Sequence, residues 1–278
     1  MKASVLFTTV CNDDFANALT LLLWSILHHN PSFDHPFKVY HKGDLSEESQ
    51  ERLGFVYPNI TFEAVSDNSY ASKIPHYLAL ETFREEEPDS VVFIDSDIIC
   101  LGDISYLANL RQPIAASLDY DFKFPFELTF RGLFSRFARL NTGVFALGKE
   151  HRNQATYHSL YELLDSFPDD YQKGIPWSDQ GIINELFLKK TKHIFPYIYN
   201  GRKNLFPNKS FAGGKNPLEN VRLLHFGGGF KPFHGGLSKA SVNSKHHKYS
   251  KLHEIYYQYW DKMLAGLGVD WVLYDESA

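Results

Sequence analysis

The chain has 278 residues, 44% hydrophobic and 22% charged, a size and balance that allow one large α/β domain or two small ones with a sizeable core. Its net charge of −5 lacks the basic excess of a dedicated nucleic-acid binder, so no nucleic-acid partner is expected. Two cysteines, Cys11 and Cys100, are too few for a disulfide framework, and no apolar run approaches the roughly 20 residues of a membrane span.

The opening MKASVLFTTVCNDD has an apolar stretch too short for a secretory signal, which makes the cytoplasm the expected location. Ser4 to Val10 is rich in β-formers and reads as a buried strand. Phe15 to His29 carries Leu19, Leu22, Leu23, Ile26 and Leu27 at helical spacing, and Pro31 ends it. Phe37 to His41 is a second strand. Ser46 before Glu47 and Glu48 is the capped, acidic start of a helix. Ile60 to Val65 alternates as a third strand, and Lys73 to Arg84 reads as helical. Val91 to Ile94 is a compact apolar run stopping at Asp95-Ser96-Asp97, and Ile114 to Leu118 is another, stopping at Asp119. Gly143 to Leu147 is a further short run, followed by a helix through Leu164. This alternation predicts an α/β fold, a mostly parallel central sheet with helices on both faces. Tyr120 to Leu140 and Lys203 to Pro217 are irregular, and neither resembles a flexible linker, so one domain is expected.

Open α/β sheets bind ligands beyond the carboxyl ends of their strands. Polar residues end three runs here: Thr8-Thr9 leading to Asn12-Asp13, then Asp95-Ser96-Asp97, then Asp119. Two carboxylates two residues apart can share a hard divalent cation, which in turn can bridge a diphosphate. The alternative for Asp95 and Asp97 is a solvated turn that caps the next segment. In Leu223-Leu224-His225-Phe226-Gly227-Gly228-Gly229-Phe230-Lys231-Pro232, an imidazole suits Mn2+ as ligand, glycines let backbone amides approach an anion, and Lys231 adds a point charge. Ser178-Asp179-Gln180 reads most simply as a helix cap, and Asn141-Thr142-Gly143 as a turn.

Taken in order, FTTVCNDDFANALTLLLWSIL, FIDSDII, AASLD, LNTGVFAL, SDQGIINELF and LLHFGGGFKPF resemble the retaining glycosyltransferase family of glycogenin and the bacterial lipopolysaccharide galactosyl- and glucosyltransferases. The resemblance implies a GT-A Rossmann-like fold over residues 1–235, with 236–278 as a C-terminal helical extension. It implies Mn2+, with Mg2+ as substitute, held by Asp95, Asp97 and His225, and a UDP-sugar (UDP-glucose or UDP-galactose) as donor. Gly228 and Lys231 match the family's diphosphate contacts, and Thr8, Asn12, Asp13 and Phe15 fall where it holds uridine. Lys73 resembles a basic donor contact. Asp119, Asn141, Asp179 and Gln180 match residues lining the donor sugar and the reaction centre. The implied activity is retaining transfer of glucose or galactose to a saccharide or lipid-linked acceptor, in cell-surface or lipopolysaccharide-type glycan synthesis.

The chain departs from the family pattern in places. Val10-Cys11 lengthens the step from Thr9 to Asn12, Phe15 stands where tyrosine is frequent, and Phe233 replaces a tryptophan. No tyrosine matches glycogenin's self-glucosylation site. The competing readings are a metal-dependent phosphohydrolase or nucleotidyltransferase, which leaves the His-Gly-Lys motif without a role, and a non-catalytic UDP-sugar-binding protein. Near the C-terminus, Lys239, Lys245, Lys248 and Lys251 precede Tyr256-Tyr257-Gln258-Tyr259-Trp260. That composition fits either peripheral contact with the inner face of a membrane or a helix packing its aromatic face on the domain, and the second is preferred.

Overall fold

The computed structural model describes residues 4–65, 75–119, 139–166, 178–203, 217–228, 231–233 and 250–273. Ten strands and six α-helices follow one another in these segments. They are β1 (Val5–Val10), α1 (Asp13–His29), β2 (Phe37–His41), α2 (Glu47–Val56), β3 (Ile60–Ala64), β4 (Ser90–Ile94), β5 (Ile98–Cys100) and α3 (Ser105–Ala108) in the first part. After these come β6 (Ile114–Leu118), β7 (Leu140–Gly148), α4 (Gln154–Ser166), α5 (Ser178–Leu186), β8 (His193–Ile194), β9 (Gly201–Arg202), β10 (Leu223–His225) and α6 (Ser250–Leu267).

Seven strands form the main sheet in the order β3-β2-β1-β4-β7-β6-β8. Pairing is parallel from β3 through β4 and again between β6 and β8, while β7 runs antiparallel to both its neighbours. The strands are apolar runs because both faces are covered: Phe7, Val39, Val92, Phe93, Ile94 and Phe145 are all essentially inaccessible. Helix α1 packs with α2 and α6, whereas α4, α5 and a 3-10 segment, Pro75–Arg84, group together against β1, β2 and β7.

That 3-10 segment is the described part of the helical stretch expected from Lys73 to Arg84. Its period of three lines up Tyr77, Leu80 and Phe83, all buried, and pairs Arg84 with Glu81 one turn back. Residues 73 and 74 lie outside the described residues.

A smaller sheet, β5-β10-β9, sits beside the main one. The face of α6 formed by Leu252, Tyr256, Tyr257, Trp260 and Met263 is buried against Ala18 and Leu21 of α1, Ile99 of β5, Leu224 of β10, and Phe226 and Phe233 beyond it. The aromatic cluster expected at the C-terminus therefore packs on the domain, and Tyr256, Tyr257 and Trp260 are not available as membrane anchors. Lys239, Lys245 and Lys248 lie outside the described residues. No helix among the described residues is long and apolar enough to cross a membrane.

Candidate active site

Strand polarity decides which residues meet. β1, β4 and β6 deliver Asn12, Asp95 and Asp119 past their carboxyl ends. Because β7 is antiparallel, its first residues arrive at the same rim: Ser117 and Leu118 face Asn141 and Leu140, and the Asp95 N–H donates to the Gly143 carbonyl at 2.8 Å. The β6–β7 register jumps from Ala116 opposite Phe145 to Ser117 opposite Asn141, a bulge at the edge of the site. Asn141-Thr142-Gly143, which the sequence suggests as a turn, is thus part of a strand.

His225 arrives through the small sheet. It stands opposite Ile98 in the antiparallel β5–β10 pair, and the Phe226 N–H donates to the Asp97 carbonyl at 3.0 Å. Its Nε2 lies 3.2 Å from Asp97 Oδ1 and 3.4 Å from Asp95 Oδ2. One ligand atom from each of the three residues falls within 4.8 Å of the others. Lys231 closes the cluster, with Nζ 2.6 Å from Asp97 Oδ2 and over the Phe15 ring at 4.6 Å from its centroid.

The two carboxyls are shifted in opposite directions. Partial burial and then the negative charges of Asp97 and Asp179 push the Asp95 carboxyl above the usual range, although 41% of its side chain stays accessible. Burial acts upward on Asp97 too, but the Lys231 ammonium and the His225 ring outweigh it and hold that carboxyl far below the usual range. Two crowded carboxylates and an imidazole are a donor set that fits a divalent cation of the Mn2+ type. Two glycines keep the set compact. A Cβ at Gly143 would lie 2.5 Å from His225 Nδ1 and 3.1 Å from Asp95 Oδ2, and one at Gly227 would lie 2.7 Å from His225 Nε2.

A row of buried side chains runs from this cluster along the rim. His225 Nδ1 lies 2.9 Å from Asn200 Oδ1, and Asn200 Nδ2 donates to Asn141 Oδ1 at 2.7 Å. Asn141 Nδ2 donates to Gln180 Oε1 at 2.9 Å, and Gln180 Nε2 donates to Asp119 Oδ2 at 2.9 Å. Arg202 Nη1 pairs with Asp119 Oδ1 at 2.9 Å. Asp179, at the start of α5, accepts from Thr142 Oγ1 at 2.9 Å. The residues expected at the reaction centre, Asp119, Asn141, Asp179 and Gln180, are thus one contiguous group.

The residues expected around uridine are less uniform. Thr8 has no exposed surface and shares a 3.1 Å hydrogen bond with Thr82. Asp13 Oδ1 accepts from the backbone and hydroxyl of Ser46 and the hydroxyl of Ser49, tying α1 to the start of α2. Asn12 holds a buried Oδ1 without a hydrogen-bond partner. Phe15 meets Phe233 edge-on at 5.4 Å. Gly228 takes φ +80°, a left-handed conformation open to glycine. Lys73 lies outside the described residues, as do residues 120–138 of the irregular stretch.

Sequence reasoning missed Asn200, Arg202 and Lys203. Lys203 Nζ donates to the Phe226 carbonyl at 3.1 Å, and burial pushes its ammonium down to about 8. The only local signal was the polar run Asn200-Gly201-Arg202-Lys203 beside an irregular stretch, because β9 is two residues long and has no period to read.

The model of "Glycosyl transferase family 8" matches residues 7–235. Glycogenin-1 of Caenorhabditis elegans is 26% identical over 191 residues, which are 67% of this chain and 36% of that protein, so the chain spans about a third of the length of that relative. The galactosyltransferase LgtC, solved with donor and acceptor sugar analogs, superimposes with a TM-score of 0.63 at 16% identity over 90% of this chain and 95% of that one. The glycosyltransferase GlyE of Streptococcus pneumoniae TIGR4 gives a TM-score of 0.66 at 16% identity over 95% of this chain and 63% of that one. These likenesses identify the fold as GT-A.

Proposed function

Because this chain belongs to glycosyl transferase family 8, we propose that it moves a glucosyl or galactosyl group from a UDP-sugar to an acceptor hydroxyl with retained anomeric configuration. The observation that carries the reading is the convergence of Asp95, Asp97 and His225 within 4.8 Å, with the Lys231 ammonium against Asp97. When bound there, a divalent cation, Mn2+ or Mg2+, supplies positive charge against the departing diphosphate. Lys231 adds a second positive charge at the same place, and the turn at Gly228 lets backbone approach the anion. Asp119 and Asp179 orient donor sugar hydroxyls, and Gln180 and Asn141 line the anomeric centre. No covalent nucleophile is assigned. Asn12, Asp13 and Phe15, with Thr8 behind them, form the uridine side, and Lys73 contacts the donor. The acceptor is a saccharide or lipid-linked sugar, in cytoplasmic synthesis of a cell-surface or lipopolysaccharide-type glycan. The catalytic unit is residues 1–235, with 236–278 as its helical extension.

The test is release of UDP from a panel of UDP-sugars, with and without Mn2+, for the wild type and Asp97→Ala. Release from one sugar that needs the metal and is lost in the variant is expected. Absence of both turnover and UDP–Mn2+ binding would overturn the reading.

A further inference from the structure

Resting on the metal reading above, we infer that Asn200 is a positioning residue that holds the His225 proton on Nδ1 and so leaves the Nε2 lone pair for the cation. A ring nitrogen can ligate a metal only through its lone pair, so the proton of the neutral imidazole must sit on the other nitrogen. Nε2 faces Asp95 and Asp97, and Nδ1 faces Asn200. The orientation of the Asn200 amide therefore weighs against the carboxylates at Nε2: a carbonyl toward Nδ1 favours Nδ1–H, whereas an amino group there would favour the reverse.

That orientation is set from the far end of the row. Asp119, paired with Arg202, is an acceptor, so Gln180 presents its amino group to it and its carbonyl to Asn141. Asn141 then presents its amino group to Gln180 and its carbonyl to Asn200, which must turn its own carbonyl to His225. Two backbone donors impose the same sense independently. The Thr142 N–H points at Gln180 Oε1 (3.3 Å) and the Gly143 N–H at Asn141 Oδ1 (3.2 Å). Every amide in the row is buried, Asn200 at 1% exposure, so water is not at hand to satisfy a flipped one. The polarity of Asp119 is thus transmitted through three amides to the metal ligand.

Without Asn200, nothing in the row holds the proton on Nδ1, and the neutral ring places it on Nε2, where Asp95 and Asp97 accept it. A cation must then displace that proton.

The test is a long-range 1H–15N spectrum of the His225 ring in the metal-free protein, at a pH where the ring is neutral, together with Mn2+ titration without nucleotide. The wild type is expected to carry its proton on Nδ1. Asn200→Ala is expected to move it to Nε2 and weaken Mn2+ binding about 10- to 100-fold, the usual effect of losing a partner of a metal-bound histidine. Asn200→Asp keeps an acceptor beside Nδ1 and is expected to restore the wild-type tautomer. A wild-type ring protonated on Nε2, or an Asn200→Ala protein with unchanged tautomer and affinity, overturns the inference. If Asn200→Ala does not fold, the wild-type and Asn200→Asp spectra decide. Asp97→Ala serves as the control: Mn2+ binding indifferent to Asp97 means that the metal reading has failed, while the tautomer measurement, made without metal, stands apart from it.

Discussion

At the scale of single residues, the site depends on what is small as much as on what is charged. Gly143 lies in β7 and is not among the glycines with positive φ, so the cost of alanine there is chiefly steric. The added methyl would press on the His225 ring, whose Nδ1 edge is held by Asn200. Gly143→Ala is expected to lose about 1–3 kcal/mol of stability by overpacking and to weaken Mn2+ binding at least 10-fold, read by thermal unfolding and by metal titration. Unchanged affinity would mean that the ring has room to move. Lys231 makes a second case. Its charge helps depress the Asp97 carboxyl, so ion pairing contributes stability that is present above the unfolded value near 4 and is lost as pH falls below it. Lys231→Met leaves the buried Asp97 carboxylate with His225 as its remaining charged neighbour among those described. Its expected result is a loss of about 3 kcal/mol at neutral pH in the metal-free protein, with a flatter acid-unfolding profile than the wild type.

At the scale of elements, helix starts and strand ends carry most of what can be tested and most of what could be read in advance. Ser46 accepts from the Ser49 N–H at the start of α2 and also donates to Asp13, so one hydroxyl caps one helix and ties it to another. Ser46→Ala is expected to cost about 1 kcal/mol and to lower Tm by roughly 2–4 °C, measured by calorimetry. Asp13→Ala should cost more, because three donors lose their acceptor at once. The cap, β2 and β6 were legible because each rests on local signals, a serine before acidic residues or a run of β-formers. The beginning of β7 was not. Asn141, Thr142 and Gly143 have turn chemistry, yet in the strand the Asn141 and Thr142 side chains and the Thr142 amide are taken up by Gln180, Asp179 and Asn200, partners distant in sequence. Asn200 and Arg202 were invisible for the same reason, since β9 exists by pairing with β10 rather than by any pattern of its own. The acidic pair and the histidine were legible as ligand types, but their meeting depends on the β5–β10 pairing, which no spacing encodes.

At the scale of the whole molecule, α6 joins the reactive end of the structure to the rest. Tyr256 packs on both Phe226 and Phe233, at 5.4 and 5.7 Å between centroids, and the Tyr257 hydroxyl donates to the Pro232 carbonyl at 3.3 Å. These contacts bracket Lys231 from behind, while Phe15 and Phe233 form the aromatic floor beneath its ammonium. The helix thus braces the segment proposed to hold the diphosphate, and a loss of its packing should reach the site. Trp260→Ala is expected to cost about 3–5 kcal/mol and, in the fraction that stays folded, to weaken UDP–Mn2+ binding although Trp260 touches neither ligand. The same variant separates bracing from membrane attachment. A buried indole has no free face to insert into lipid, so sedimentation with anionic vesicles at low salt should be the same for wild type and Trp260→Ala. Any binding seen should vanish as salt is raised, the mark of surface lysines such as the exposed Lys251. If the variant instead lost vesicle binding and kept its affinity for UDP and Mn2+, the aromatic face would have to leave the core to work, and its packing on Phe226 and Phe233 would be a resting arrangement rather than a brace.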